Sequence, residues 1–168
     1  YGTRNALYPE FAIVAWSARR IGRPVKWTGD RTEMFLSDFQ ARDLVVRAEL
    51  ALAADGRFEA LRISNISNIG AHAVSFIPMI KGVEIFPLTY RIGACHARAR
   101  AVTSNTPPTY PYRSAGRPEV TYAMERLIDI AAARLGIDAL EIRRRNIVPA
   151  TAIPYYNGLG LTFDSGDF

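Results

Sequence analysis

The stretch Pro111-Tyr112-Arg113-Ser114-Ala115-Gly116-Arg117-Pro118-Glu119 sets cations beside small residues at a helix start. Small residues let a backbone approach a ligand closely. The first N–H groups of a helix have no partner within it and suit an anion. Arginine adds a fixed charge and a forked donor. Such a turn can hold an oxidised, phosphate-bearing group. Other chemistries are poorly served. Ser114 lacks the flanking Gly-x-Ser-x-Gly pattern of a hydrolase nucleophile, and the chain has no P-loop and no GxGxxG run. Cys95 is the only cysteine, and His72 and His96 are the only histidines. A zinc site would have to recruit distant carboxylates, so no metal is assigned to the chain's own side chains.

The elements that must position this turn are read from periodicity. Residues 118–135 form a helix, with Val120, Met124, Leu127, Ala131 and Leu135 as its apolar stripe and Gly136 as its stop. A short helix follows, with Asp138 as cap, Glu141 three residues on, and Ile137 and Ile142 placed to staple its start. Residues 9–21 form another helix, its stripe drawn from Phe11, Val14, Ala15, Ala18 and Ile21. Pro24-Val25-Lys26-Trp27-Thr28 reads as a short strand, and Asp30 with Glu33 reads as a capping box.

Residues 42–54 alternate as a long strand, Asp55-Gly56 signals a hairpin, and residues 58–64 return as its partner. Residues 65–87 carry Gly70, Pro78, Gly82 and Pro87 and read as an irregular crossing. Residues 90–103 alternate again as a strand, and a Pro-rich lead, Pro107-Pro108-Thr109-Tyr110-Pro111, stiffens the approach to the arginine turn. The Gly- and aromatic-rich residues 154–168 read as an extended tail that needs a surface to pack on. The expected fold class is α+β, with a mixed or antiparallel sheet, one long hairpin and packed helices.

The chain has 168 residues, of which 49% are hydrophobic and 22% charged, an ordinary globular composition. Its formal net charge is +5, and only Lys26 and Lys81 are lysines. The arginines are scattered apart from Arg143-Arg144-Arg145, which reads as a solvated surface rather than a nucleic-acid site. No apolar run approaches the roughly 18 residues of a membrane span. The single cysteine favours a reducing compartment, and the cytoplasm is expected. The chain begins with Tyr1 rather than Met, and it reads as an internal piece of something longer.

Several segments resemble the molybdenum hydroxylases, namely the large subunit of aerobic carbon monoxide dehydrogenase and the molybdopterin-binding part of xanthine dehydrogenase and aldehyde oxidase. Tyr1-Gly2-Thr3-Arg4 is similar to the end of the family's Gly-Gly-x-Phe-Gly loop. Pro24-Val25-Lys26-Trp27 with Asp30-Arg31-Thr32-Glu33, and then Arg42-Asp43, resemble its next run. Tyr112-Arg113-Ser114-Ala115-Gly116-Arg117 resembles its [FY]-R-G-x-G or Y-R-C-S-F-R loop. Met124-Glu125-Arg126-Leu127-Ile128-Asp129 and Leu140-Glu141-Ile142-Arg143-Arg144-Arg145-Asn146 resemble its helical pair. Pro154-Tyr155 and Leu161-Thr162-Phe163-Asp164-Ser165-Gly166-Asp167 resemble its tail. Order and spacing across essentially the whole chain carry the resemblance.

The resemblance implies a first molybdopterin-binding domain over residues 1–150 and a linker over 151–168. It implies a parent oxidoreductase of the carbon monoxide dehydrogenase type, which oxidises a small carbon substrate with water-derived oxygen and passes electrons through iron–sulfur clusters and FAD. The alternatives are an N-heterocycle hydroxylase of the xanthine type and a non-catalytic scaffold domain. The implied cofactor is molybdenum-molybdopterin, in its cytosine dinucleotide form, bound by the full-length protein and not by this segment alone, which is expected to be inactive. Implied partners are the rest of the large subunit, iron–sulfur and FAD subunits, and further copies in an oligomer.

Residue by residue, Tyr1 and Gly2 fall beside the metal ligands, and Arg113, Ser114, Ala115 and Gly116 fall on the cofactor loop. Arg113 is implied as a catalytic contact. Arg42 is implied as a substrate-orienting arginine, although its spacing from Asp30-Arg31 is off by a residue. Read without the resemblance, Arg42 is a strand-start arginine pairing with Asp43 or Asp38, and Arg113 a turn arginine pairing with a carboxylate or carbonyl. Ser114 stands where the copper-holding Cys of carbon monoxide dehydrogenases would be, and Ala115 where the xanthine-type enzymes carry a stacking Phe.

Overall fold

A computed structural model of the chain describes Arg4 and residues 6–168. Tyr1 and Gly2, the expected neighbours of a metal, lie outside the described residues. Helix α1, Pro9–Ile21, is as expected and stops at Gly22 in the left-handed region. It buries none of its residues, because it packs on little else in the described structure. The expected strand at residues 24–28 is irregular coil. Strand-forming side chains there find no neighbouring strand to pair with, and β-propensity is realised only in a sheet. Helix α2, Arg31–Ser37, is capped as expected, with Asp30 Oδ1 accepting from Glu33 N at 2.7 Å.

Strands β1, Leu44–Leu52, and β2, Phe58–Asn68, form the antiparallel hairpin, in register from Leu44 opposite Ser67 to Ala51 opposite Ala60, with a bulge before Leu52 pairs with Phe58. The turn closes through Ala53 N to Arg57 O and Gly56 N to Ala53 O, both 2.9 Å. Residues 65–87 are more regular than their composition suggests. The first four extend β2, and helix α3 forms at Ile77–Glu84. Pro78 sits in the first turn of α3, where a missing N–H costs nothing. Strand β3, Ala94–Val102, then pairs parallel to β2, so the sheet is mixed, in the order β1-β2-β3.

Helix α4, Arg117–Leu135, lays Val120, Met124, Ile128, Ala131 and Ala132 into the core. Helix α5, Ala139–Asn146, is capped by Asp138, whose carboxylate accepts from Leu140 N and Glu141 N at 3.0 Å. Helices α3, α4 and α5 cover one sheet face, where Leu61, Ile63, Phe86, Met124, Ile128 and Ile142 are fully buried. Each such side chain contributes roughly 1.5–3 kcal/mol. The tail folds into a two-stranded piece, β4, Tyr155–Tyr156, with β5, Thr162–Phe163. Buried Asn157 fastens it to α3, donating to Glu84 O at 2.6 Å and accepting from Leu159 N and Leu161 N.

Arg143 departs from a solvated arginine. It bonds Glu125 Oε2 at 2.8 Å and Asp129 Oδ1 at 2.9 Å, while Tyr90 donates its phenol to Glu125 Oε1 at 2.8 Å. Burial, and then the bond to Glu125, push the Tyr90 phenol up to about 12. Desolvation pulls the Arg143 guanidinium down, but its bonds to Asp129 and Glu125 win and hold it above its ordinary value.

Candidate cofactor-facing site

The arginine turn is strained and anchored. Ser114 has φ 67° and Gly116 φ 85°, both left-handed. A left-handed non-glycine residue costs roughly 1–3 kcal/mol and persists only where its surroundings fix it. Two short bonds define the turn: Ala115 N to Tyr112 O at 3.0 Å and Arg117 N to Ser114 O at 2.9 Å. A Cβ on Gly116 would come within 2.6 Å of Pro78 O and 2.7 Å of Gly82 N. The turn is therefore seated directly on the α3 backbone, and only glycine permits that approach. Arg113 and Ser114 are exposed on its outer side. Among the described residues the Arg113 guanidinium has no ion-pair or hydrogen-bond partner, so its expected carboxylate or carbonyl is not there. A free cation remains beside the exposed Arg113 and Ser114 amides and the start of α4.

A second segment is brought to the turn from far away in sequence. Gln40 N donates to Pro108 O at 3.0 Å, and Tyr110 N donates to Gln40 O at 2.9 Å. The Gln40 side chain donates to Thr106 Oγ1 at 2.8 Å and Pro107 O at 2.9 Å. Asn68, at the end of β2, ties both strands of this zipper. It accepts from Gly70 N and Ser104 Oγ at 2.8 Å, and donates to Asp43 at 2.7 Å and Thr106 at 3.1 Å. The Pro-rich lead and the approach to β1 thus run side by side.

The zipper places Arg42 against the turn. Arg42 has φ 58°, and its Nη2 donates to the Arg113 carbonyl at short range. Its guanidinium lies 5.2 Å from the Tyr112 ring centre, and its Nε lies 3.7 Å from Glu119 Oε1. The expected partners are otherwise engaged: Asp38 pairs with Arg4 and Asp43 bonds Asn68. Arg42 and Arg113 therefore meet, as their shared assignment to one site requires. Gln40, Asn68 and Glu119 were not singled out from sequence. Gln40 and Asn68 bond partners up to 67 positions away, and Glu119 looks like any first-turn acid.

The chemistry of the donor set is anion-directed. Among the described residues no group of three or more His, Cys, Asp or Glu is placed to hold a metal ion. Ser114 offers a hydroxyl, which does not fit copper(I), a metal that favours thiolate. Among the described residues the Arg113 guanidinium and the Arg113 and Ser114 amides are without partners and suit anionic oxygens such as those of a pterin cofactor. The start of α4 adds its dipole rather than free donors, since Arg117 N bonds Ser114 O and Pro118 has no N–H. A cavity of about 440 Å³ lies elsewhere, at the far end of the sheet, between Glu49, Leu50, Arg62, Cys95 and His96. Burial pushes the Cys95 thiol up, away from reactive thiolate. That cavity shares no residue with the turn.

Comparison with known proteins supplies context for this geometry. Residues 1–147 match the molybdopterin cofactor-binding domain. The chain is 38% identical, over 99% of its length, to the gamma subunit of the 6-hydroxypseudooxynicotine dehydrogenase complex of Paenarthrobacter nicotinovorans, covering 22% of that protein. It is 31% identical, over its whole length, to the carbon monoxide dehydrogenase large chain of Hydrogenophaga pseudoflava, again covering 22%. Among solved structures, quinoline 2-oxidoreductase from Pseudomonas putida 86 superposes with a TM-score of 0.92 at 35% identity, over 97% of this chain and 21% of that one. The chain thus spans about a fifth of the length of the relatives it matches.

Proposed function

The chain belongs to the molybdopterin cofactor-binding domain family, and from that premise we propose that its parent is the large, cofactor-carrying chain of a molybdenum hydroxylase. The observation that carries this reading is the exposed, unpaired Arg113 on a strained turn seated on α3. In the proposed site, Arg113 and the Arg113 and Ser114 amides hold anionic oxygens of the cofactor, while Ala115, whose N–H closes onto Tyr112 O, and Gly116 shape the loop that presents them. Gly116 lets the turn approach α3, and the Pro-rich lead limits its freedom. When bound, the molybdenum–pterin group supplies oxidation of a substrate carbon with water-derived oxygen, the electrons leaving by iron–sulfur and FAD carriers on partner chains. Its cytosine dinucleotide form, an oligomeric parent and a cytoplasmic setting belong to the same proposal. The segment alone, holding one side of the pocket, is expected to be inactive.

Within this class we favour a nitrogen heteroaromatic substrate over carbon monoxide. Ser114 supplies no thiolate for copper, and among solved structures quinoline 2-oxidoreductase is 35% identical to the chain against 28% for a copper- and molybdenum-containing carbon monoxide dehydrogenase. Metal analysis and dye-coupled oxidation by the purified parent test this, with quinoline, benzaldehyde and carbon monoxide as substrates. Molybdenum without copper, and oxidation of quinoline faster than the other two, is the expected result. Molybdenum with copper and oxidation of carbon monoxide would overturn the substrate assignment, and a folded parent without molybdenum would overturn the class.

A further inference from the structure

Glu119 lacks the partners its burial demands. Its side chain is 14% exposed, and among the described residues neither buried carboxylate oxygen finds a hydrogen-bond partner. A buried carboxylate normally accepts several. Its ion-pair partner is Arg42, whose Nε at 3.7 Å lies in ion-pair range but beyond hydrogen-bond reach. The position of Glu119 in the first turn of α4 adds the favourable helix dipole. The carboxylate is thus held by charge alone, and that charge acts on one neighbour.

Arg42 is held on three sides. Its backbone is left-handed and is fixed between two anchors, Gln40 bonded to the Pro-rich lead and Asp43, whose carbonyl accepts from Asn68 N at 3.0 Å. Its side chain meets the Tyr112 ring, the Arg113 carbonyl and Glu119. Both flanks of the left-handed Ser114 are therefore gripped, the Arg113 carbonyl on one side and the α4 start on the other. The Glu119 oxygens are buried, and the Arg42 Nη2 is turned into the loop. The Glu119 oxygens thus do not face outward with Arg113 and Ser114, while Arg42 stays partly exposed, its side chain at 32%.

We infer that Glu119 is a positioning residue: through Arg42 it clamps the 112–117 turn in the conformation that presents Arg113 and Ser114. Its bearing on turnover rests on the molybdenum-hydroxylase reading, whereas the clamp itself does not. Arg42 thereby acts through the Arg113 backbone and is assigned no contact with substrate.

Glu119→Gln keeps the shape and removes the charge. In the full-length holoenzyme, Glu119→Gln and Arg42→Gln are each expected to lower kcat by roughly 10²-fold, the scale of a small misplacement at a reacting centre. KM should stay within about twofold, and the double variant should be no worse than either single one, since both break one clamp. Hydrogen exchange on the full-length protein supplies a readout free of the cofactor. The Ala115 and Arg117 amides, which close the turn, should exchange faster in both variants. If Arg42→Gln raises KM alone while Glu119→Gln is silent, the inference is overturned and Arg42 touches substrate. Unchanged exchange in Glu119→Gln overturns the clamp whatever the activity. A parent without molybdenum would remove the link to turnover, and exchange would still decide the clamp.

Discussion

Two buried asparagines mark two ends of one sheet. Asn146, 2% exposed, closes the hairpin end: it accepts from Phe58 N at 2.7 Å and donates to Gly56 O at 2.9 Å and Ile142 O at 2.8 Å. Asn65, fully buried at the end of β2 near the arginine turn, accepts only from Ser67 Oγ at 3.2 Å and leaves Nδ2 without a partner. The contrast extends beyond these side chains. The hairpin end has a glycine turn and a capped α5. Among the described residues, the other end collects left-handed Arg42 and Ser114, an Arg113 guanidinium without a partner and a Glu119 carboxylate held only by its ion pair with Arg42; the third left-handed non-glycine residue, Leu88, lies outside it. Unsatisfied groups and strain concentrate where a structure serves a ligand rather than itself. On the proposed reading, the hairpin end holds the domain together and the turn end faces the cofactor.

Substitutions should separate these roles. The largest loss is expected from Asn146→Ala, which strands two buried backbone groups, Phe58 N and Gly56 O, and costs about 3–4 kcal/mol, read by urea unfolding. Gly116→Ala forces a Cβ into the α3 backbone at a left-handed position and should cost about 2–3 kcal/mol, with faster exchange of the turn amides. Glu125→Gln breaks the part-exposed pairing with Arg143 and should cost about 1 kcal/mol. It should also lower the Tyr90 phenol from about 12, followed by ultraviolet titration. The folded value lies above the ordinary 10.0, so the native state retains a proton that the unfolded chain releases. Stability from Tyr90 is complete below pH 10 and lost as pH rises toward 12, a loss that Glu125→Gln should reduce. The smallest effect is expected from Asn65→Leu, under about 1 kcal/mol, because its amide has little to lose. A cost for Asn65→Leu equal to that of Asn146→Ala would erase the contrast.

Local chemistry was readable from the sequence. Asp30, Asp138 and Gly136 cap their helices through neighbours within a few residues, and Asp55-Gly56 turns its hairpin. What escaped reading is non-local. The Pro24–Thr28 stretch has strand-forming side chains but no strand beside it. Pro78 and Gly82 resemble breakers, yet one starts α3 and the other leaves room beside it for the buried Asn65 amide. The arginine turn could be picked out by composition, and its kinship by motif. Its support could not be, because Gln40, Asn68 and Glu119 are given their roles by partners that only the fold brings near. Arg42 shows both sides: the sequence singled it out together with Arg113, while its contact with the Arg113 carbonyl came from the zipper.

The central claim is that the 112–117 turn is the cofactor-facing end of this domain. Hydrogen exchange on the full-length parent, with and without its molybdenum cofactor, tests it most directly. The account predicts that cofactor protects the Arg113, Ser114 and Gly116 amides and leaves those of residues 53–58 unchanged. Equal protection at both ends, or protection confined to the hairpin end, would contradict it.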